Sequence, residues 1–221
     1  MPKARGTYFN SIHSHDDLGL IQLSLDVEPA QPKLNLVDIP GADGSKDLTE
    51  LPAGRVTYKD RKLTWTFGLY PGADWEAKFR EVSNDLNGLR CDRIVTDTQS
   101  RYHYTGRLTV KKYKHSKLQR QITVEATCAP FQLRESETVV TQSLTTTAKS
   151  IAITNNGGKT VTPSIKVTAA TVLTFGNSSV TINAGTHTGL DIVLKPGNNT
   201  LTAKTSSGSG TIEIRFREGS L

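Results

Sequence analysis

The sequence predicts a mainly β protein, an N-terminal β-sandwich or barrel flanked by one α-helix and followed by a smaller C-terminal β-sandwich. Three observations predict it. Apolar and polar residues alternate along several runs, the period of a half-buried strand. One stretch, Ala73 to Asn87, switches to the helical period. The composition also breaks near Phe131: residues 1–134 hold 20 Lys and Arg, 16 Asp and Glu, both Trp, every Tyr and both Cys, whereas 135–221 hold 7 and 5 amid many Thr and Ser. That break sets domains at 1–134 and 135–221, joined around APFQLRESE, and each is long enough to enclose its own core.

The first strands read from Leu18 to Val27, LGLIQLSLDV, and from Lys62 to Leu69, KLTWTFGL, where Leu63, Trp65 and Phe67 share one face. Between them, Ile39 to Lys62 contains Pro40, Gly41, Gly44, Pro52 and Gly54, which predicts a long connection or an extended hairpin. In the helix, Trp75, Phe79, Val82 and Leu86 recur at helical spacing, with Asp74 suited to open it and Gly88 to close it. An aromatic stripe of this kind is expected to pack on the sheet as core. Three more strands are expected at Gly88 to Thr96, Tyr102 to Lys112 and Leu118 to Ala129, ending at Pro130.

The second domain carries short runs rich in Val, Ile and Thr: Ser150 to Thr154, Val161 to Thr168, Val172 to Phe175, Ser179 to Asn183, Leu190 to Leu194, Thr200 to Lys204 and Thr211 to Arg217. Turn signals separate them, among them Asn156-Gly157-Gly158, Gly176-Asn177 and Ser207-Gly208-Ser209-Gly210, and this rhythm predicts a small all-β sandwich.

No apolar run is long enough to cross a bilayer, so no membrane insertion is expected. The opening MPKARGTYFNSIHSHDDLG has no apolar segment after its basic residues, so no secretory signal is expected and folding in a cytoplasm is. The net charge of +6 raises nucleic acid as a partner, but sequence-specific recognition needs a clustered stripe with base-reading side chains, and none is evident. Lys111, Lys112, Lys114 and Lys117 form the densest basic run and are expected in a solvated hairpin turn. Cys91 and Cys128 lie in strand-like runs without metal-ligand spacing, which predicts buried free thiols.

A search for chemistry finds none. His13 and His15 with Asp16 and Asp17 form HSHDD, where two imidazoles could present metal ligands, but no distant third ligand accompanies them and a polar loop is expected instead. His103, His115 and His187 are scattered, with no nucleophile elbow, zinc-helix signature or phosphate-binding glycine loop around them. Most Asp and Glu residues flank turns or solvent faces. No cofactor, metal or catalytic residue is assigned.

Several segments, in order, resemble the distal tail protein family of long-tailed bacteriophages. These are FNSIHSHDDLGL (Phe9 to Leu20), IPGADG (Ile39 to Gly44), KLTWTFGL, the helix opened by Asp74-Trp75, LNGLRC (Leu86 to Cys91), YHYTGRLTV (Tyr102 to Val110) and ATCAPF (Ala126 to Phe131). They cover nearly all of residues 1–134, while the second domain resembles the family's galectin-like sandwich by type, with PGNNTLT and GTIEIRFRE near its end. The resemblance implies a non-enzymatic homohexameric ring at the virion tail tip, assembled in the bacterial host cytoplasm around a channel for DNA passage. Its implied partners are the tail tube protein, a tail-tip hub or tail-associated protein, and receptor-binding or baseplate proteins, with the second domains projecting outward.

Within that picture Pro40, Gly41, Asp43 and Gly44 become candidate oligomer-interface residues, the alternative being an ordinary mobile surface loop. Two other functions stay open. One is a carbohydrate-binding module, weakened because 135–221 offer only Phe175 and Phe216 for sugar stacking. The other is a tube subunit of a related phage-derived machine.

Overall fold

The computed structural model describes residues 5–115 and 120–221 of the chain. The chain is mainly β, as its sequence predicts, and divides into two compact units, Met1–Gln132 and Leu133–Leu221.

Unit 1 contains β1 (Thr7–Phe9), β2 (Ile12–His13), β3 (Leu20–Val27), β4 (Leu36–Asp38), β5 (Ser45–Asp47), β6 (Arg61–Leu69), α1 (Trp75–Leu86), β7 (Arg90–Thr96), β8 (Tyr102–His115) and β9 (Arg120–Cys128). Its main sheet runs in the order β2-β1-β7-β8-β9-β6-β3, with antiparallel pairing between neighbours. Along β6 burial alternates residue by residue: Leu63, Trp65 and Phe67 are fully buried while Thr64 and Thr66 between them face outward.

The sheet curls until its two ends meet. The Trp65 indole N–H donates to Thr7 Oγ1 at 3.0 Å, Thr7 Oγ1 donates to Gln22 Oε1 at 2.8 Å, and Phe9 packs edge-on against Trp65 at 5.1 Å. Thr7 and Phe9 belong to β1, whereas Trp65 and Gln22 belong to β6 and β3 at the far end of the strand order. A flat sheet could not bring these side chains together. The curled sheet therefore encloses one core, in which Leu108, Ile122 and Val124 complete the lining.

Helix α1 is capped by Asp74, whose carboxylate accepts from the Ala77 N–H at 3.0 Å. Beyond its C-cap Asn87, Gly88 takes a φ of 83°, a left-handed conformation that glycine adopts without strain. Trp75, Val82 and Leu86 are buried, and half-buried Phe79 stacks on Tyr113 of β8 at 4.5 Å. Arg120 lies over the Trp75 ring at 5.6 Å.

After β10 (Gln132–Arg134), unit 2 contains β11 (Thr138–Leu144), β12 (Lys149–Asn155), β13 (Ser164–Val167), β14 (Thr171–Phe175), β15 (Ser178–Ile182), β16 (Gly185–His187), β17 (Gly197–Thr205), β18 (Gly210–Phe216) and β19 (Gly219–Ser220). Two four-stranded antiparallel sheets, β11-β18-β13-β16 and β12-β17-β14-β15, share one core. Leu144, Ile165, Ile212 and Ile214 face into it from the first sheet, and Ile151, Leu173 and Leu201 from the second.

Two expectations are corrected. Leu190 to Leu194 is not a strand: the Ile192 N–H closes a tight turn onto the Leu190 carbonyl at 2.7 Å, and only Leu194 pairs, with Val161. Ile192 and Leu194 are nevertheless buried, so the run's apolar character serves core filling without an extended backbone. Lys111, Lys112 and Lys114 lie within β8 and not in a turn, because a bulge between Val110 and Lys112 keeps both Val110 and Tyr113 on the core side and lets the strand continue, while Lys117 lies outside the described residues.

Candidate oligomer interface

Strands β3 and β6 do not stop at the edge of the curled sheet; they continue outward together as a two-stranded arm. The Glu28 N–H donates to the Lys62 carbonyl at 2.9 Å, that of Lys59 to Gln31 at 2.8 Å and that of Lys33 to Thr57 at 2.8 Å. Farther out, Leu48 donates to the Asn35 carbonyl, and β4 and β5 form the tip ribbon. The arm's root is held by Arg61, buried to 7% exposure, whose Nε donates to the Glu28 carbonyl at 2.9 Å and Nη1 to the Pro130 carbonyl at 3.2 Å. Its guanidinium also lies over the Tyr104 ring at 5.4 Å.

Pro40, Gly41, Asp43 and Gly44 all sit exposed in the turn joining β4 to β5. Gly41 and Gly44 have φ values of 81° and 72°, which a side chain would strain. Leu34, Leu36, Val37, Ile39 and Leu51, at 43–75% exposure, are exposed along the same arm. A groove of about 840 Å³ runs between Pro32, Leu34, Leu48, Leu51, Val56 and Tyr58, with Asp47 and Glu50 at its rim. The Thr49 hydroxyl and N–H hydrogen-bond Asp47 and hold its carboxyl below the ordinary range. Composition points to the turn residues by their Pro and Gly content, whereas the structure adds exposed aliphatic side chains on either side of them.

The HSHDD residues form a corner held largely by hydrogen bonds among themselves. His13 is 2% exposed; its Nδ1 accepts from the Asp16 N–H at 3.1 Å, and its Nε2 lies 3.4 Å from Asp97 Oδ2. Asp17 accepts from the His13 N–H, and His15 reaches Asp16 at 2.8 Å and the Tyr70 hydroxyl at 3.1 Å. The expected polar loop is thus partly wrong, since His13 is core-facing where β2 pairs with β1. Among the described residues no group of three or more His, Cys, Asp or Glu is arranged to hold a metal ion.

Cys91 and Cys128 are free, buried thiols on either side of Gly106, each paired with it across its own strand. Two strand spacings separate them by about 10 Å, beyond the roughly 7 Å that a disulfide spans. Burial, with a smaller contribution from Asp92, pushes the Cys91 pKa up to about 11. Burial and then Cys91 push Cys128 up to about 12.

Glu218 was not foreseen. It is 5% exposed and accepts from the Asn156 side chain at 3.1 Å and N–H at 3.3 Å and from Arg134 Nη1 at 3.1 Å. Burial raises its pKa, but the hydrogen bonds from Asn156, Arg134 and Thr138 outweigh it and hold the carboxyl below its ordinary 4.5. A folded pKa below the unfolded one means stability that is complete above the unfolded value and lost as pH falls toward the folded one. Acidification below about pH 4.5 is therefore expected to weaken unit 2, and Glu218→Gln should flatten that acid loss. Denaturation midpoints at pH 7 and pH 3 check this, and equal pH dependence in the two proteins would refute the assignment.

No protein-family model and no curated protein matches the sequence. Among solved structures, the chain is similar to SPP1 Dit (gp 19.1), described as a paradigm of the hub adsorption apparatus in phages that infect Gram-positive bacteria. The match has a TM-score of 0.68 at 15% sequence identity and covers 97% of this chain and 100% of the other. At that identity, the likeness is one of fold.

Proposed function

We propose that this chain is a structural subunit of a bacteriophage tail tip, a ring-forming distal tail protein that joins the tail tube to the host-adsorption apparatus around a channel for DNA. The observation that carries the reading is the likeness to SPP1 Dit across both units, from one end of that chain to the other. A resemblance limited to one sandwich would be weak, because sandwiches host many functions.

In this reading residues 1–134 form the body of a homohexamer, and residues 135–221 are a module that projects from it. The partners are further copies of the chain, the tail tube protein, a tail-tip hub or tail-associated protein, and receptor-binding or baseplate proteins. The arm supports it, since a heterologous contact repeated by rotation closes into a ring, and an exposed apolar arm is suited to such a contact. The chain performs no catalysis in this role. Sugar binding by unit 2 draws no support from its aromatics, because Phe216 is buried and Phe175 packs against the same core.

Electron microscopy of the purified full chain, paired with mass measurement over a wide concentration range and with tail tubes added, tests the proposal. Closed rings with a central hole, alone or seated on tube ends, are expected. Monomers under every condition would reject it, and long self-assembled tubes would favour the tube-subunit reading instead.

A further inference from the structure

We propose that the outer face of β6, β9 and β8 holds the phosphate backbone of DNA without regard to base sequence. This inference rests on the reading that DNA passes the ring, and it names the surface of the chain that meets it.

The charge on this face is set by the strand register. Lys62 pairs with Thr127 and Thr127 with Arg107; two rows on, Thr66 pairs with Thr123 and Thr123 with Lys112, and then Gly68 pairs with Gln121 and Gln121 with Lys114. Strict alternation from Val110, which packs on the core, would send Lys111 and Lys114 to opposite faces and bury Lys112. The bulge between Val110 and Lys112 prevents that: it turns Lys111, Lys112 and Lys114 all outward while Tyr113 keeps its place on the core. The three strands therefore carry five exposed cations outward, Lys62, Arg107, Lys111, Lys112 and Lys114, against one carboxylate, Glu125.

Glu125 is already engaged. Its Oε1 lies 3.3 Å from Lys111 Nζ and 3.7 Å from Lys62 Nζ. Among the described residues no carboxylate lies within ion-pair distance of Lys112 or Lys114. On β7, Arg90 faces Arg107 directly across the ladder, and like charges so placed cost a bare sheet stability. An anion laid over the row removes that cost.

The chemistry of the rest of the face selects a phosphodiester over an acidic protein. Between the cations stand Thr64, Thr66, Thr109, Thr123 and Thr127, and no outward position from Lys62 to Gly68, Gln121 to Thr127 or Arg107 to Lys114 carries an apolar side chain. A protein interface wants an apolar or aromatic centre, whereas phosphates are held by Lys, Arg and Thr hydroxyls alone. From Arg107 to Lys114 the stripe runs roughly 20 Å, a length over which a duplex presents about a dozen phosphates. The face is a sheet surface with Gln121 as its one side-chain amide, so it has almost nothing with which to read base edges.

Fluorescence anisotropy of the full-length chain with a labelled duplex of about 30 base pairs, between about 50 and 200 mM salt, tests the contact. The logarithm of the affinity should fall with that of the salt at a slope of about −3, from Arg107, Lys112 and Lys114. Lys112→Gln with Lys114→Gln should weaken binding at least about tenfold at the lowest salt and reduce the slope by about 2. Glu125→Gln releases Lys62 and Lys111 and should bind more tightly, with a steeper slope. Lys166→Gln with Lys204→Gln, the same loss of charge at exposed sites of unit 2, should change neither quantity. Absence of binding at the lowest salt, or equal losses from the two double variants, overturns the proposal. Binding of poly-aspartate in place of DNA also overturns it and gives the face to an acidic protein. Mass measurement on the same samples separates this contact from the ring: rings that bind no DNA remove the contact alone, and DNA binding by a chain that stays monomeric removes the ring alone.

Discussion

Replacing Trp65 by alanine is expected to lower the unfolding free energy of unit 1 by about 3–5 kcal/mol, a large share of the roughly 5–15 kcal/mol that a domain has. The indole is fully buried and touches both ends of the curled sheet, Phe9 of β1 edge-on and Thr7 through its N–H. Truncation therefore opens a cavity where the sheet closes on itself, and no single strand can relax to fill it. Trp65→Phe keeps one aromatic ring but loses the rest of the indole together with the hydrogen bond, so it should cost less than the alanine variant, about 1–3 kcal/mol. Both tryptophans belong to unit 1, so intrinsic fluorescence during chemical denaturation reports that unit alone, with Trp75 as probe in the variant. An unchanged midpoint would mean that the two ends of the sheet are not joined through this residue.

Gly106→Ala should be the second large loss, about 1–3 kcal/mol by overpacking. A Cβ at this position would lie 2.5 Å from the Thr127 carbonyl oxygen and 2.6 Å from Cys128 Sγ. The sulfur could turn aside, but the carbonyl belongs to β9, which β6 and β8 hold on both sides. Adding Cys128→Ala should consequently recover only part of the loss. Denaturation midpoints of the single and double variants decide this, and full recovery would show that the thiol, and not the backbone, sets the limit.

The features legible in the sequence are those with a local period. Burial alternates along β6 as its apolar pattern requires, and α1 starts at the expected cap because Asp74 serves the N–H of a residue three positions on. The mainly β class follows from such local signals. Contacts that close over long separations were not legible. Trp65 meets Thr7 across 58 residues, and Glu218 meets Asn156 and Arg134 across 62 and 84, so a carboxylate that looked like a solvated flank is buried. The strand Thr138–Leu144 was missed because its inward positions hold Thr138, Val140 and Gln142 before Leu144, too polar an alternation to stand out. In the candidate interface, the Pro and Gly residues of the tip announced a turn, yet the ribbon that carries it depends on backbone pairing between segments with little apolar periodicity.

The arm is continuous with β3 and β6, and this has a mechanical consequence. A pull on the tip, whatever holds it, runs along the strand axes into the body, where β6 is flanked by β3 and β9. Antiparallel hydrogen bonds lie across the strands, so such a load shears many rungs at once instead of opening them one after another. Arg61 sits where the arm enters the sheet and ties that entry to the Glu28 and Pro130 carbonyls. The arm is thus anchored as a tension member, and the strength of any joint it makes is borne by the whole ladder behind it.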